Sequence, residues 1–467
     1  MEQSRAETVE TSDSLTGDGG RWTALLLREF TVSGAALVIA VSFGVSAVLG
    51  AVRQVLLNAR FGAGAEVSAY YAAARLPETL FTLIAGGALW TAMIPTLADV
   101  RRKGGDGAVR RLADTVLGAV LAVAVLLVAA GMLAAPWFVS TLLAPGFDAE
   151  ERALTTRLTR LLLIQPLLLT VGSVAMAVLN ARSRFLLPAV AIAVHNLAEI
   201  AGIAAVWLVP SLGIYGPVCG AVGGAVLQGG VLFAFLWRSE WRPRPRWAPG
   251  DAALRATLRL LVPTSLSLGV GYLGGVLDAS FASRSPEAGV LPAIVNAWLL
   301  AGLPVRIIGF AAAQAAFPRL VLAANGRDTL AFRRLTVRTT AAIAALSIPA
   351  ALGLVLLARP VVRLLFEHGA FDAKAGSLTS RQIVIYALGL PFFAVTEILT
   401  RGLTALRDTR TPLLTNLAQL ALRGAICALL LDRFGVAIIP AAFVLSSIVE
   451  TVILGAALGR RAAGTAP

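Results

Sequence analysis

About twelve apolar runs, each long enough to cross a bilayer as a helix, follow one another along this chain. A hydrocarbon core about 30 Å thick needs roughly 20 apolar residues per crossing, because the segment must satisfy its own backbone N–H and C=O groups. The runs are 33–58, 68–98, 113–142, 157–180, 187–209, 213–237, 257–282, 290–321, 338–358, 382–405, 411–431 and 435–459. Only 14% of the 467 residues are charged and 57% are hydrophobic, with a mean hydropathy of +0.80. A soluble domain carries about 25% charged residues, so the sequence specifies an all-α integral membrane protein. Residues 1–20 are polar and acidic and read as a disordered tail. They lack the basic start and small-residue cleavage site of a secretory signal.

A net charge of +14 would point to nucleic acid in a soluble protein. Here the basic residues fall in short loops between the runs, which excludes that reading and sets orientation instead. One loop set carries Arg101, Arg102, Lys103, Arg110 and Arg111; then Arg182 and Arg184; then Arg238, Arg242, Arg244 and Arg246. It continues with Arg327, Arg333 and Arg334, then Arg407 and Arg410, then Arg460 and Arg461. The alternate loops, 146–151, 210–213, 283–289 and 369–379, are nearly neutral or acidic. Positive residues stay cytoplasmic, so a multi-pass plasma-membrane protein with both termini inside is expected.

An internal repeat divides the chain. Leu133–Pro136, Phe147-Asp148-Ala149 and Leu154–Arg157 recur at constant offset as Leu357–Pro360, Phe371-Asp372-Ala373 and Leu378–Arg381. The offset spans about six helices, and an even number preserves orientation, so two parallel six-helix bundles around a central cavity are expected. The expected boundaries are a cytoplasmic tail at 1–30, bundles at 31–240 and 257–459, a linker at 241–256 and a second tail at 460–467. Substrate would sit between the bundles near mid-membrane.

Enzymatic signals are lacking. Neither Lys103 nor Lys374 follows a glycine, so the chain has no Walker A loop, and transport would draw on an ion gradient, the membrane potential or a partner. Cys219 and Cys427 have no metal-ligand spacing and read as small buried side chains. His195 and Glu199, spaced i, i+4, lack the further ligands a metal needs and are read as interhelical hydrogen-bonding groups. Gly216, Gly220 and Gly224 form a small-residue face for close helix packing. No catalytic residue, cofactor or metal site is expected.

Several segments resemble the MurJ/MviN lipid II flippases of the multidrug/oligosaccharidyl-lipid/polysaccharide exporter superfamily. They are Val48–Arg53, Ala59–Gly64, Ala74–Pro77, Ile94–Ala98, Gly302–Pro304, Phe317–Leu320, Leu364–Phe371 and Arg407–Pro412, and the likeness covers about residues 33–459. The resemblance implies transport of an undecaprenyl-diphosphate-linked peptidoglycan precursor across the plasma membrane by alternating access, with cell-wall synthesis proteins among the expected partners. Family members usually have fourteen helices, the last two thought to line a groove for the lipid tail, against about twelve here. The family's cavity cations map onto Arg53 and Arg75, while other charged positions map onto Ala47, Gln54, Ser68, Trp298, Leu299 and Gly302. Arg306, seven residues past Leu299 and so two turns along one face, is expected to supply a compensating cation.

A charged side chain at mid-bilayer costs roughly 2.5–3.5 kcal/mol, so each has two readings. Arg53, Arg75 and Arg306 either grip the substrate diphosphate or pair with Glu78, Asp278 or helix-end carbonyls to fix packing. Asp278 either binds a coupling cation or, like Glu78, balances the arginines. Two other functions stay open: export of another polyprenyl-linked glycan or of small cations and drugs, and a non-transporting scaffold in cell-wall synthesis.

Overall fold

The computed structural model describes Leu26, Arg28 and residues 32–85, 88–238 and 242–464. Apart from Leu26 and Arg28, the expected tail at 1–30 lies outside the described residues. The first half comprises α1 (Val32–Phe61), α2 (Ala65–Ile84), α3 (Ala88–Phe138), α4 (Ala149–Leu162), α5 (Ile164–Ala181), α6 (Leu186–Leu208) and α7 (Tyr215–Arg238). The second comprises α8 (Ala252–Ser283), α9 (Val290–Pro304), α10 (Ala311–Asn325), α11 (Thr329–Leu365), α12 (Ala373–Ala405), α13 (Arg410–Phe434) and α14 (Ile438–Gly464). No strand occurs among the described residues.

Ten segments among the described residues are long and apolar enough to cross a membrane. One of them, Arg410–Ala462, contains both α13 and α14, joined by the 3-10 turn Gly435–Ala437. A further crossing falls outside the ten because Glu66, Arg75 and Glu78 lower the hydropathy of α2. The expected run at 68–98 falls on α2 and the start of α3, and α3 is interrupted at Gly105, whose φ is +61°. Among the described residues, each of the twelve expected runs thus falls on helix. Their outer surfaces carry bare leucines, such as Leu133 at 82% and Leu429 at 79% exposure. Such side chains would be a liability in water and suit hydrocarbon.

Local chemistry ends the helices where the sequence turns polar. Asp148 accepts from the Glu151 N–H in a capping box, and Asp251, Asp328 and Asp372 cap α8, α11 and α12. The glycine face of α7 lies against α6: a Cβ at Gly202 would stand 2.5 Å from Gly220 Cα, and one at Gly216 2.7 Å from Gly202 O. Only residues without side chains allow backbones this close.

The two loop sets behave differently. On the arginine-rich face, acids tie elements within one half. Asp106 meets Arg101 at 3.4 Å and Arg182 at 3.8 Å, while Asp408 accepts from Thr411 and from Arg461 at 3.1 Å. Burial raises the Asp408 pKa, but the Thr411 hydrogen bonds and the Arg461 charge outweigh it and hold the carboxyl below its usual range.

On the arginine-poor face the two halves dock directly. The Ala370 N–H donates to Ala59 O at 2.8 Å, and Gly369 packs on Ala59. Gly146 packs on Ser283, whose hydroxyl accepts from the Gly146 N–H at 3.2 Å. The offset that relates Asp148 to Asp372 also relates Ala59 to Ser283. Repeat-related loops therefore close this face from both sides.

The helix that opens the second half departs from the expected boundary. α8 begins at Ala252, inside the expected linker 241–256, and packs along α2 and α3 of the first half while also meeting α9, α13 and α14. It is the element through which the two halves share their interior.

Candidate functional site

The polar groups singled out from the sequence, and their partners, lie chiefly on α1, α2, α6, α8, α9 and α13. Arg53 on α1 pairs with Glu199 on α6, with side chains 36% and 8% exposed. His195, one turn before Glu199, stands 3.8 Å from its other oxygen and 3.4 Å from Gln165. Both residues read from sequence as helix-packing groups thus belong to the Arg53 site, and Arg53 meets neither Glu78 nor Asp278 in an ion pair.

Arg75 pairs with Glu78 one turn along α2, at 2.9 Å. Its side chain lies over Gly275 of α8, where a Cβ would come within 3.3 Å of Arg75 Cδ. Asp278, on α8, pairs with Arg423 of α13. That guanidinium also stacks on Phe443, 4.3 Å from the ring centroid. Sequence reasoning gave Arg423 no role in the site. Its partner is 145 residues away, and no local spacing marks so distant a pair.

Arg306 lies apart. It is exposed in the π-helical turn Val305–Phe310 that follows Pro304, and no ion pair of Arg306 is found among the described residues. A π turn holds more residues than an α turn, so the two-turn spacing from Leu299 is not that of a continuous α-helix. The position of Trp298 is filled by packing: its ring meets Tyr386, Phe393 and Phe443 at 5.3, 5.7 and 5.1 Å.

Toward the arginine-poor face a neutral network joins the halves. Gln54 of α1 donates to Tyr71 Oη and, at 2.5 Å, to Asn296 Oδ1 of α9. Asn58 donates to the same Asn296 oxygen at 3.1 Å. All four residues are buried, so this layer seals the interior beneath the docked loops. A surface crevice lined by Leu117, Leu121, Val171, Phe233, Trp237, Pro243 and Pro245 is apolar and contains none of these ion pairs.

The site therefore holds guanidinium groups, each beside a carboxylate, within a helical shell that closes at one end. It contains no nucleophile–base pair among the described residues, and a guanidinium offers a planar fork of donors that suits anionic oxygens.

The family model "Lipid II flippase MurJ" matches residues 57–467. A probable lipid II flippase MurJ of Rhizobium meliloti is 30% identical over 450 residues, covering 93% of this chain and 80% of that protein. The lipid II flippase MurJ of Burkholderia cenocepacia is 31% identical over 396 residues, covering 82% and 73%. Among solved structures, lipid II flippase MurJ in an inward closed conformation superposes with a TM-score of 0.77 at 21% identity, covering 91% of this chain and 87% of that one. An inward-facing multidrug resistance transporter of the MATE family, in the MOP superfamily, gives 0.75 at 14% identity, covering 92% and 98%. The fold is that of these transporters, and the chain belongs to the lipid II flippase MurJ family.

Proposed function

We propose that this protein moves a lipid-linked diphosphate, the undecaprenyl-diphosphate-linked peptidoglycan precursor, across the plasma membrane of a bacterium. The observation that carries the reading is the arrangement of Arg53 and Arg75 on the first two crossings, each next to a carboxylate, inside a shell whose halves dock at the arginine-poor face. A guanidinium fork matches phosphate oxygens in two parallel bonds, and the docked face is where the halves would part. The arginine-rich face would be cytoplasmic, with both termini inside. The headgroup would enter from that side, displace the carboxylates from Arg53 and Arg75, and leave after the arginine-poor loops part. The lipid tail would remain in the bilayer. Asp278 is engaged by Arg423, which favours a counter-charge role over a coupling cation. The membrane potential then becomes the driving force that requires no further site.

The test is growth rescue of bacteria depleted of their own lipid II flippase, with expression checked by immunoblot. The parent restores growth on this reading, Arg53→Ala and Arg75→Ala do not, and Arg306→Ala does. A well-expressed parent that fails to rescue would move the scaffold and other-substrate readings ahead.

A further inference from the structure

Two guanidinium groups from opposite halves converge on one face of α8. Asp278 lies three residues past Gly275 and four past Gly274, so the three positions are neighbours on the helix surface. Without a Cβ at either glycine, arginine side chains lie directly on the helix backbone. A Cβ at Gly275 would come 3.4 Å from Arg75 Nη1, and one at Gly274 2.9 Å from Arg423 Nη1. The Arg423 side chain is only 6% exposed, and its ring contact with Phe443 fixes the guanidinium plane. Each guanidinium carries five N–H donors. Arg423 gives one nitrogen to Asp278 and Arg75 gives one to Glu78, while the buried Nε of each has no hydrogen-bond partner among the described residues. Two membrane-embedded guanidinium groups thus meet over α8 with the carboxylates of Asp278 and Glu78, and they carry more N–H donors than those carboxylates take. A diphosphate, with two adjacent anionic groups, supplies what this surplus lacks.

We propose that Arg75 and Arg423 form a diphosphate seat across the two halves, with Asp278 as the anion that occupies it in the empty state. The inference rests on the lipid-linked diphosphate reading and adds the cation of the second half to it, on α13 in place of the π turn that holds Arg306. When the ligand arrives, its oxygens replace the Asp278 carboxylate on Arg423. Because Arg75 belongs to the first half and Arg423 to the second, one ligand then engages both bundles. Asp278 acts as a built-in competitor and sets how tightly the seat holds its ligand.

The test measures equilibrium binding of undecaprenyl diphosphate and, separately, of inorganic pyrophosphate to the purified full-length chain in detergent, with folding checked by gel filtration. Arg423→Gln weakens undecaprenyl diphosphate binding by about tenfold or more, the loss of a charge-assisted hydrogen bond. Asp278→Asn tightens it, and the double variant binds as weakly as Arg423→Gln alone. Arg423→Lys, which keeps the charge without the fork, falls between the parent and Arg423→Gln. A merely structural ion pair would predict weaker binding in Asp278→Asn, and that result overturns the seat, as does parent-like binding by Arg423→Gln. Equal affinity for pyrophosphate and undecaprenyl diphosphate, with the same dependence on Arg423 and Asp278, would keep the seat and remove the lipid-linked substrate. A folded parent that rescues growth yet binds neither probe overturns the seat and leaves the transport reading standing.

Discussion

Replacing Gly62 by alanine tests whether the arginine-poor face is a gate. Gly62 has a φ of +65°, and a Cβ there would stand 2.5 Å from Ala370 O and 3.1 Å from its carbonyl carbon. Backbone atoms cannot swing aside, so the docked loops must separate to admit it. Two costs arise, and they act on different equilibria. The left-handed backbone costs an alanine about 1–2 kcal/mol, but the turn keeps this conformation whether the face is open or closed, so that cost cancels between the two states. The overpacking cost, about 1–3 kcal/mol, exists only when the face is closed. It shifts the balance toward opening by about 5- to 150-fold, at about tenfold per 1.4 kcal/mol. Gly105 provides the control, since its φ is +61° and a Cβ there meets nothing within 4 Å. The assay is labelling by a membrane-impermeant maleimide of a cysteine placed at Ala293, which is 0% exposed, with Cys219 and Cys427 replaced. Labelling should rise by that factor in Gly62→Ala and stay at the parent rate in Gly105→Ala. Equal rates in the two variants would refute the argument that steric docking holds this face shut.

Three further outcomes are expected. Arg53→Ala leaves the Glu199 carboxylate, 8% exposed, without its cation; thermal unfolding in detergent should show a loss of about 1–3 kcal/mol, largely recovered when Glu199→Gln is added. Gly220→Val should loosen the α6–α7 crossing by about 1–3 kcal/mol, because a Cβ at Gly220 already meets Ala198 O at 2.9 Å, whereas Gly223→Ala, with open space around it, should be silent in the same melt. The depressed Asp408 carboxyl contributes stability that is present above its unfolded pKa of about 3.9 and is lost as the pH falls through its lower folded value. Melts run against pH should steepen there for the parent and flatten for Asp408→Asn.

Hydrophobic run length located the helices because backbone satisfaction in lipid leaves no alternative to a long apolar segment. The glycine face of α7 was equally legible, since its spacing acts within a few residues. The ion pairs were not. Glu199 was read with His195 because they share one helix face, yet the Arg53 it serves lies 146 residues away. Arg423 is passed over for the same reason, and Arg306 is favoured by a spacing that holds only in a continuous α-helix. Gln54 was read as the place of a lost charge, and its hydrogen bond to Asn296 across the interface gives it a different role. The sequence does not show which residues face one another across the two halves. The repeat gives the symmetry of that interface but not its contacts.

The central claim is tested most directly with purified protein in vesicles that carry an undecaprenyl-diphosphate-linked sugar-peptide in both leaflets. An impermeant reagent that modifies the headgroup reaches only the outer leaflet of protein-free vesicles. With the parent protein present, the protected inner pool should become fully reactive, and Arg53→Ala or Arg75→Ala should restore protection. A folded, correctly inserted parent that leaves the protected pool as large as in protein-free vesicles would contradict the account.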